Sequence, residues 1–312
     1  ESYHTPPAIE NVVYLFAAGG SRFSLFEASE VDVIGLNAEE TLEVRRPSNA
    51  QHEQWLSATT LCTTLVQLNN SVAPFDDPNV RKAFALAVDK EALNDLLSDG
   101  TNVIGKTILP PSMPGFSLEL ADEIAGNQFD PEAAQAALAE SSYGDNLPPI
   151  EILAAGFGDS ERDDLIALVA NWESILGASV EVGFVDPLNF NELVRDNPSQ
   201  MTSYGWCADY PDPENFLDIL YHSESEFNVA AYSNPDVDAL LEEARVTLDP
   251  AERLALYQQI EQALLADYAA IPLQHSVSDI LVSDTVEGYI LPPMGAQIID
   301  VLSLAPVAEE EE

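Results

Sequence analysis

The hydrophobic pattern changes period several times along the chain, and each change predicts an element. It opens with a proline-containing lead-in and an apolar run, Val12-Val13-Tyr14-Leu15-Phe16. A short helix-like stretch then ends in the alternating Glu30-Val-Asp-Val-Ile34, which predicts a strand after a helix. Residues 38–60 are polar and weakly patterned, whereas Leu61–Leu68 predicts a strand. The polar segment that follows, through Pro74-Phe-Asp-Asp-Pro78, is where the chain is expected to cross from one lobe to another. A helix is predicted over 79–98, with Val80, Phe84, Val88 and Leu96 on one face and Gly100 just past its end.

Asp130-Pro131 starts the next helix, which runs to about Ser142. The aspartate caps free N–H groups, and proline in the first turn sacrifices no helical hydrogen bond. Ile150–Phe157 predicts a strand, and Asp159–Gly177 a helix whose inward face is Leu165, Leu168, Val169, Trp172, Ile175 and Leu176. Val180–Val185 predicts another strand. Strand, helix and strand with short joints imply a parallel pair with a right-handed crossover, hence an α/β lobe.

The stretch Tyr204–Leu217 reads as a buried strand, a turn stiffened by Pro211 and Pro213, and a helix from Phe216 to Tyr221. Helices are predicted over 235–247, with Val237, Leu240, Leu241 and Ala244 inward, and from Asp249-Pro250 to Tyr268, with Leu254, Tyr257, Ile260 and Leu264 inward. Ile271–Val282 alternates as a strand or a pair of strands, and Ile298–Leu304 predicts a final strand.

Composition narrows the function classes. With 312 residues and 46% hydrophobic content, two lobes are expected. There are 54 acidic against 11 basic residues, a formal net charge of −43, so no basic stripe exists to neutralise phosphates or anionic lipid. Nucleic acid is therefore excluded as a partner. Glu309–Glu312 add only four of those charges, so the acidity belongs to the folded body. The histidines at 4, 52, 222 and 275 have no ligand spacing, so neither a histidine metal site nor a metal cofactor is expected. Two cysteines, Cys62 and Cys207, make no CxxC pattern; in a cytosolic protein they would be buried thiols, in an exported one a disulfide.

Nothing in the sequence demands chemistry: there is no GxSxG, no GK[ST] adjoins Gly19-Gly20-Ser21, and no DxDxDG register occurs. Carboxylate pairs drawn from Asp209, Asp212, Glu214 and Asp218 arise by chance in so acidic a chain. The strand end Trp206-Cys207-Ala208-Asp209-Tyr210 sets a carboxylate beside an aromatic ring, a way to meet a cationic ligand. The competing reading is a capped turn in which Asp209 or Asp212 only satisfies backbone N–H groups.

Several segments together resemble the extracytoplasmic oligopeptide/dipeptide/nickel-binding proteins of ABC importers (family 5). They are Val72–Leu93, Gly205-Trp-Cys-Ala-Asp-Tyr-Pro-Asp-Pro-Glu-Asn-Phe-Leu217, Asn228 with Tyr232–Leu241, Asp249–Gln262, Ile271-Pro-Leu273 and Val286-Glu-Gly-Tyr289. Glu30–Ile34 is similar to the family's first-lobe signature, and the likeness runs from about Tyr3 to Leu304. It implies a type II periplasmic-binding-protein-like α/β fold, a mixed sheet flanked by helices, with 69–284 as a whole second lobe. Residues 1–68 and 285–308 would belong to the first lobe, with 309–312 an acidic tail.

The resemblance further implies a Cys62–Cys207 disulfide, Asp209 as the anchor for a peptide's α-ammonium, and Trp206, Cys207, Ala208 and Tyr210 around the ligand. The expected protein is not an enzyme and has no cofactor. It is an extracytoplasmic binding component, periplasmic or lipid-anchored, that delivers oligopeptides to a membrane permease. Family members are longer, so a missing N-terminal lobe, in cis or in trans, is expected to complete the peptide cleft. The alternative expectation is a reduced relative used as a sensory or partner-interaction module.

Overall fold

The computed structural model describes residues 8–16, 21–123, 128–144, 146–157, 162–196, 198–295 and 302–305. The chain divides into two compact units, one from residues up to Thr60 and from Val277 onward, the other Leu61–Ser276. Its elements, in order, begin with α1 (Arg22–Glu27), β1 (Val33–Gly35), α2 (Ala38–Val44), β2 (Trp55–Leu68), α3 (Pro78–Leu86), α4 (Lys90–Ser98), β3 (Val103–Ile104) and α5 (Leu118–Glu123). There follow α6 (Pro131–Glu140), β4 (Ile150–Ala155), α7 (Asp163–Leu176), β5 (Val180–Val185), α8 (Phe190–Asp196) and β6 (Met201–Cys207). The last are α9 (Glu214–Tyr221), α10 (Pro235–Val246), α11 (Pro250–Ala266), β7 (Ala270–Val282), β8 (Val286–Glu287) and β9 (Ser303–Leu304).

In the larger unit the strand order is β7-β2-β6-β4-β5, with β3 on β7. The sheet is mixed: β4 pairs parallel with β5 and β6, while β2 and β6 are antiparallel. Alternate residues of these strands serve opposite faces. Val66, Ile150, Ile152 and Met201 join α3, α4, α6 and α7 in one core, with Trp172 at full burial. Leu61, Leu65 and Tyr204 join α9, α10 and α11 in a second core. The smaller unit buries Phe26, Ile34, Val44 and Leu281 together, pairs β1 with the end of β7, and pairs β8 with β9.

Helix starts follow the local rule expected from the sequence. Asp77, Asp130, Asn234 and Asp249 each accept a first-turn N–H, and each is followed by proline. Three expectations need correction. The helix over 79–98 is two helices, because Asp89 caps α4 through the Ala92 N–H, and Val88 N donates to Ala85 O in a tightened last turn. The break rotates the second half, so Leu96 faces solvent and Leu93 is buried in its place.

Residues 38–60 are not irregular: an Asn37/Glu40 capping box starts α2, and β2 begins at Trp55. Trp55 is fixed by its indole N–H on Asp279 (2.9 Å). The strand from Ile150 stops at Ala155, short of Phe157; residues 270–282 form one strand, the first of the two forms expected. Of the Ile298–Leu304 strand, residues 302–304 fall among the described residues, with Ser303–Leu304 as strand; 309–312 and most of the Asp159–Asp163 helix start lie outside them.

Several ionisable groups sit inside the larger unit. Lys90 donates to Gly105 O (2.9 Å), and burial pulls its pKa down to about 7. His275 meets the Thr63 hydroxyl (2.9 Å); burial, aided by the Lys90 charge, takes it to about 3 and keeps it neutral. Glu261, fully buried on α11, accepts from Leu109 N (2.7 Å) with one carboxyl oxygen and has no partner for the other. Burial raises its pKa from 4.5 to about 7.

A raised acid pKa means the folded state binds the proton more tightly than the unfolded chain. The neutral form therefore carries no penalty below about pH 4.5, the penalty grows as pH rises from there to about 7, and it is complete above. Glu261→Gln keeps the acceptor for Leu109 N and should remove a fall of about 3 kcal/mol over that window. Urea unfolding of both proteins at pH 5 and pH 8 checks this: the difference between them should widen at pH 8, and parallel curves would refute it.

Candidate functional site

The site expected from the sequence lies at the end of β6. Along one edge β6 pairs with β2 from Met201 to Cys207, in register from Leu68 to Cys62, and Ala208 N extends the ladder to Leu61 O. Cys62 and Cys207 oppose each other in this register and form a disulfide. Along the other edge β6 pairs with β4 only at Met201 and Thr202. Among the described residues no strand pairs with Ser203–Cys207 on that side. Gly205 and Cys207 are exposed there, and nothing lies within 4 Å of where a side chain on Gly205 would start. Among the described residues, Ser203–Cys207 therefore has no strand partner on this side, in a run that leads to Asp209.

Asn215, fully buried at the start of α9, holds the turn together. Its Oδ1 accepts from the Trp206 indole (3.0 Å) and from Asp209 N (3.3 Å). The ring and the aspartate backbone are therefore set by one amide. The Asp209 carboxylate is exposed and takes no hydrogen bond or ion pair from the described residues. Tyr210 bonds the Glu214 carboxylate instead.

Asp212 is the capping aspartate of the turn. It accepts from Glu214 N (3.0 Å) and receives both arms of Arg253 (2.6 and 2.9 Å). Burial works against its charge, but these bonds outweigh burial and hold its pKa below the usual carboxylate value. Of the two readings of this turn, the structural one describes Asp212 and not the side chain of Asp209.

Trp206 also belongs to a series of rings. Phe190 and Tyr204 stack at 6.0 Å, Tyr204 and Trp206 at 6.1 Å, and Phe227 meets Trp206 edge-on at 5.8 Å. Tyr204 and Trp206 share a face of β6 because they are two residues apart. Burial lifts the Tyr204 hydroxyl to about 12, so it stays neutral. The sequence reading missed Asn215, Phe227 and Arg253. An asparagine or an aromatic outside a periodic pattern carries no local signal, and the Asp212–Arg253 pair joins residues 41 positions apart.

Other chemistry has less support. Among the described residues no group of three His, Cys, Asp or Glu side chains is arranged to hold a metal, and no helix is long and apolar enough to cross a membrane. The smaller unit has an open, mostly apolar concavity of about 660 Å³ along Val12–Phe16, β1 and Leu302–Leu304. None of the candidate residues lines it.

The family model described as "Bacterial extracellular solute-binding proteins, family 5 Middle" matches residues 1–228. The chain is 30% identical over 230 residues to the periplasmic oligopeptide-binding protein OppA of Escherichia coli, covering 73% of this chain and 42% of that protein. It is 30% identical over 250 residues to heme-binding protein A of Haemophilus influenzae, covering 78% and 44%. Among solved structures, HbpA2 from Haemophilus parasuis superposes with a TM-score of 0.78 at 24% identity, over 91% of this chain and 56% of that one, a likeness of fold. The chain spans about half the length of the curated relatives it matches.

Proposed function

The chain belongs to the bacterial extracellular solute-binding proteins of family 5, and from that premise we propose that it binds oligopeptides outside the cytoplasm for delivery to an ABC permease. Family members are solute-binding proteins rather than enzymes, and the relatives named above carry binding, not catalytic, names. The observation that carries the peptide reading is the edge of β6 beyond Thr202, which among the described residues has no strand partner and ends beside a carboxylate that takes no hydrogen bond or ion pair. An extended peptide adds to such an edge as a strand, and its main-chain hydrogen bonds give affinity without reading side chains. Asp209 then receives the α-ammonium, while Trp206, Cys207, Ala208 and Tyr210 surround the first residues. A ligand without a peptide backbone would leave the edge unused.

Asp209→Asn in the intact protein tests the anchor. A charge-assisted hydrogen bond to the ammonium is worth about 1.5–3 kcal/mol. Calorimetry should therefore show peptides with a free amino terminus weakened roughly 10- to 150-fold by that loss, while N-acetylated peptides change little. Equal losses for both would remove Asp209 from the anchor role.

A further inference from the structure

The core between β2, α9 and α11 is not wholly apolar. Leu61, Leu65, Phe216, Leu220, Ile260 and Leu264 help to build it, and Gln67, Tyr221 and Glu261 are enclosed with them. Gln67 is 1% exposed and the other two are at 0%. Strand geometry puts Gln67 there: it stands two residues from Leu65 and so shares that residue's face of the sheet, with Thr202 as its cross-strand neighbour. Tyr221 is the last residue of α9, and Glu261 lies in the second half of α11. Burial raises the pKa of the Tyr221 hydroxyl, the adjacent Gln67 amide opposes that rise and the Glu261 charge adds to it, so the three side chains are neighbours.

These neighbours do not bond one another. Among the described residues, Gln67 Oε1 and Nε2, the Tyr221 hydroxyl and Glu261 Oε2 have no hydrogen-bond partner, although Glu261 Oε1 accepts from Leu109 N at 2.7 Å. An enclosed polar atom left unmet loses its hydration and gains nothing in return. Four in one place would cancel a large share of a domain's net stability. Native cores therefore satisfy such groups or avoid them.

The chemistry of the four atoms says what fits. Gln67 Oε1 and an ionised Glu261 Oε2 need donors, Gln67 Nε2 needs an acceptor, and the Tyr221 hydroxyl serves as either. A metal cation would answer the oxygens but would face the Nε2 donor with a charge of the wrong sign. An apolar guest would answer none of them. Water donates and accepts. We propose that the junction of β2, α9 and α11 is an internal water site, at which Gln67, Tyr221 and Glu261 hold ordered water that joins them into one network. Such water typically makes about three hydrogen bonds and is costly to remove, so it is part of the fold. It ties the end of α9 to β2, while Asn215 at the start of the same helix holds the Asp209 turn. One or two waters are far less than bulk hydration, so burial still governs the Glu261 proton.

Two measurements on the intact protein test the site. A crystal structure fine enough to show ordered solvent should place a water oxygen about 2.7–3.2 Å from Glu261 Oε2 and from the Tyr221 hydroxyl or the Gln67 amide. Urea unfolding of Tyr221→Phe supplies a sign. Removing an unmet hydroxyl leaves the midpoint equal or raises it, whereas removing one bonded to water should lower it by roughly 0.2–0.7 M. Gln67→Leu should lower it as well, and the two changes together should cost less than their sum, because both lose the same water. A phenylalanine variant at least as stable as the parent would overturn the proposal. So would a crystal structure in which the three side chains bond one another directly, or one with a metal ion between them.

Discussion

Replacing Trp172 by alanine should destabilise the larger unit by about 3–5 kcal/mol, the range for removing a large aromatic from a packed core. Trp172 is fully buried on α7 and lies 5.4 Å from the Phe84 ring of α3. Its indole N–H donates to Phe84 O at 3.0 Å. Val88 N, four residues on, bonds Ala85 O instead, so the indole takes the place of a helical donor where α3 ends. The alanine variant thus loses apolar area, opens a cavity and leaves a buried carbonyl unmet. Trp172→Phe separates these effects: it keeps most of the area and should cost about 1–3 kcal/mol for the orphaned acceptor. Urea midpoints followed by circular dichroism supply the measurement, and a phenylalanine variant as stable as the parent would show that the bond to Phe84 is immaterial.

The second large effect is expected from the disulfide. Cys62→Ser combined with Cys207→Ser should lower stability by about 2–5 kcal/mol in urea unfolding. The bridge closes a segment with a sequence separation of 145, and in the chain-entropy account a long closed loop restricts the unfolded ensemble strongly. The ladder at Cys62↔Cys207 remains to hold the strands in register, so the folded state should keep its circular dichroism spectrum. Changing both residues avoids a stray thiol. A loss below about 1 kcal/mol would mean that the unfolded chain is already compact around these strands.

What the sequence revealed and what it hid divide along physical lines. The aspartate-proline starts at Asp130 and Asp249 are contained within four residues, and each appears where expected. The inward face of α7 was legible for the same reason: Leu165, Leu168, Trp172 and Leu176 repeat at helical spacing and are buried. Val237, Leu241 and Ala244 on α10 behave alike. The break at Val88-Asp89 was hidden because the apolar spacing runs straight through it, and only the competing cap at Asp89 decides the matter.

The disulfide could not be derived from two cysteines alone and came from the family resemblance. The open edge of β6 was also invisible, since it depends on where β4 parts from β6 after Thr202, a property of two strands and not of either one. Arg253 was hidden because its partner Asp212 lies on another element, so no window of sequence shows that its charge is already used.

The β2–β6 ladder has a consequence for synthesis. Leu68 meets Met201, so the two strands of this ladder enter the chain more than a hundred residues apart. At translation rates of about 5–20 residues per second, β2 waits on the order of ten seconds before its partner exists. For that interval a fourteen-residue strand, rich in threonine and leucine, stands with that side open to any passing chain. Whatever shields nascent polypeptides in the producing cell has its clearest task at residues 55–68, and slowing the ribosome between β2 and β6 should raise the aggregated fraction.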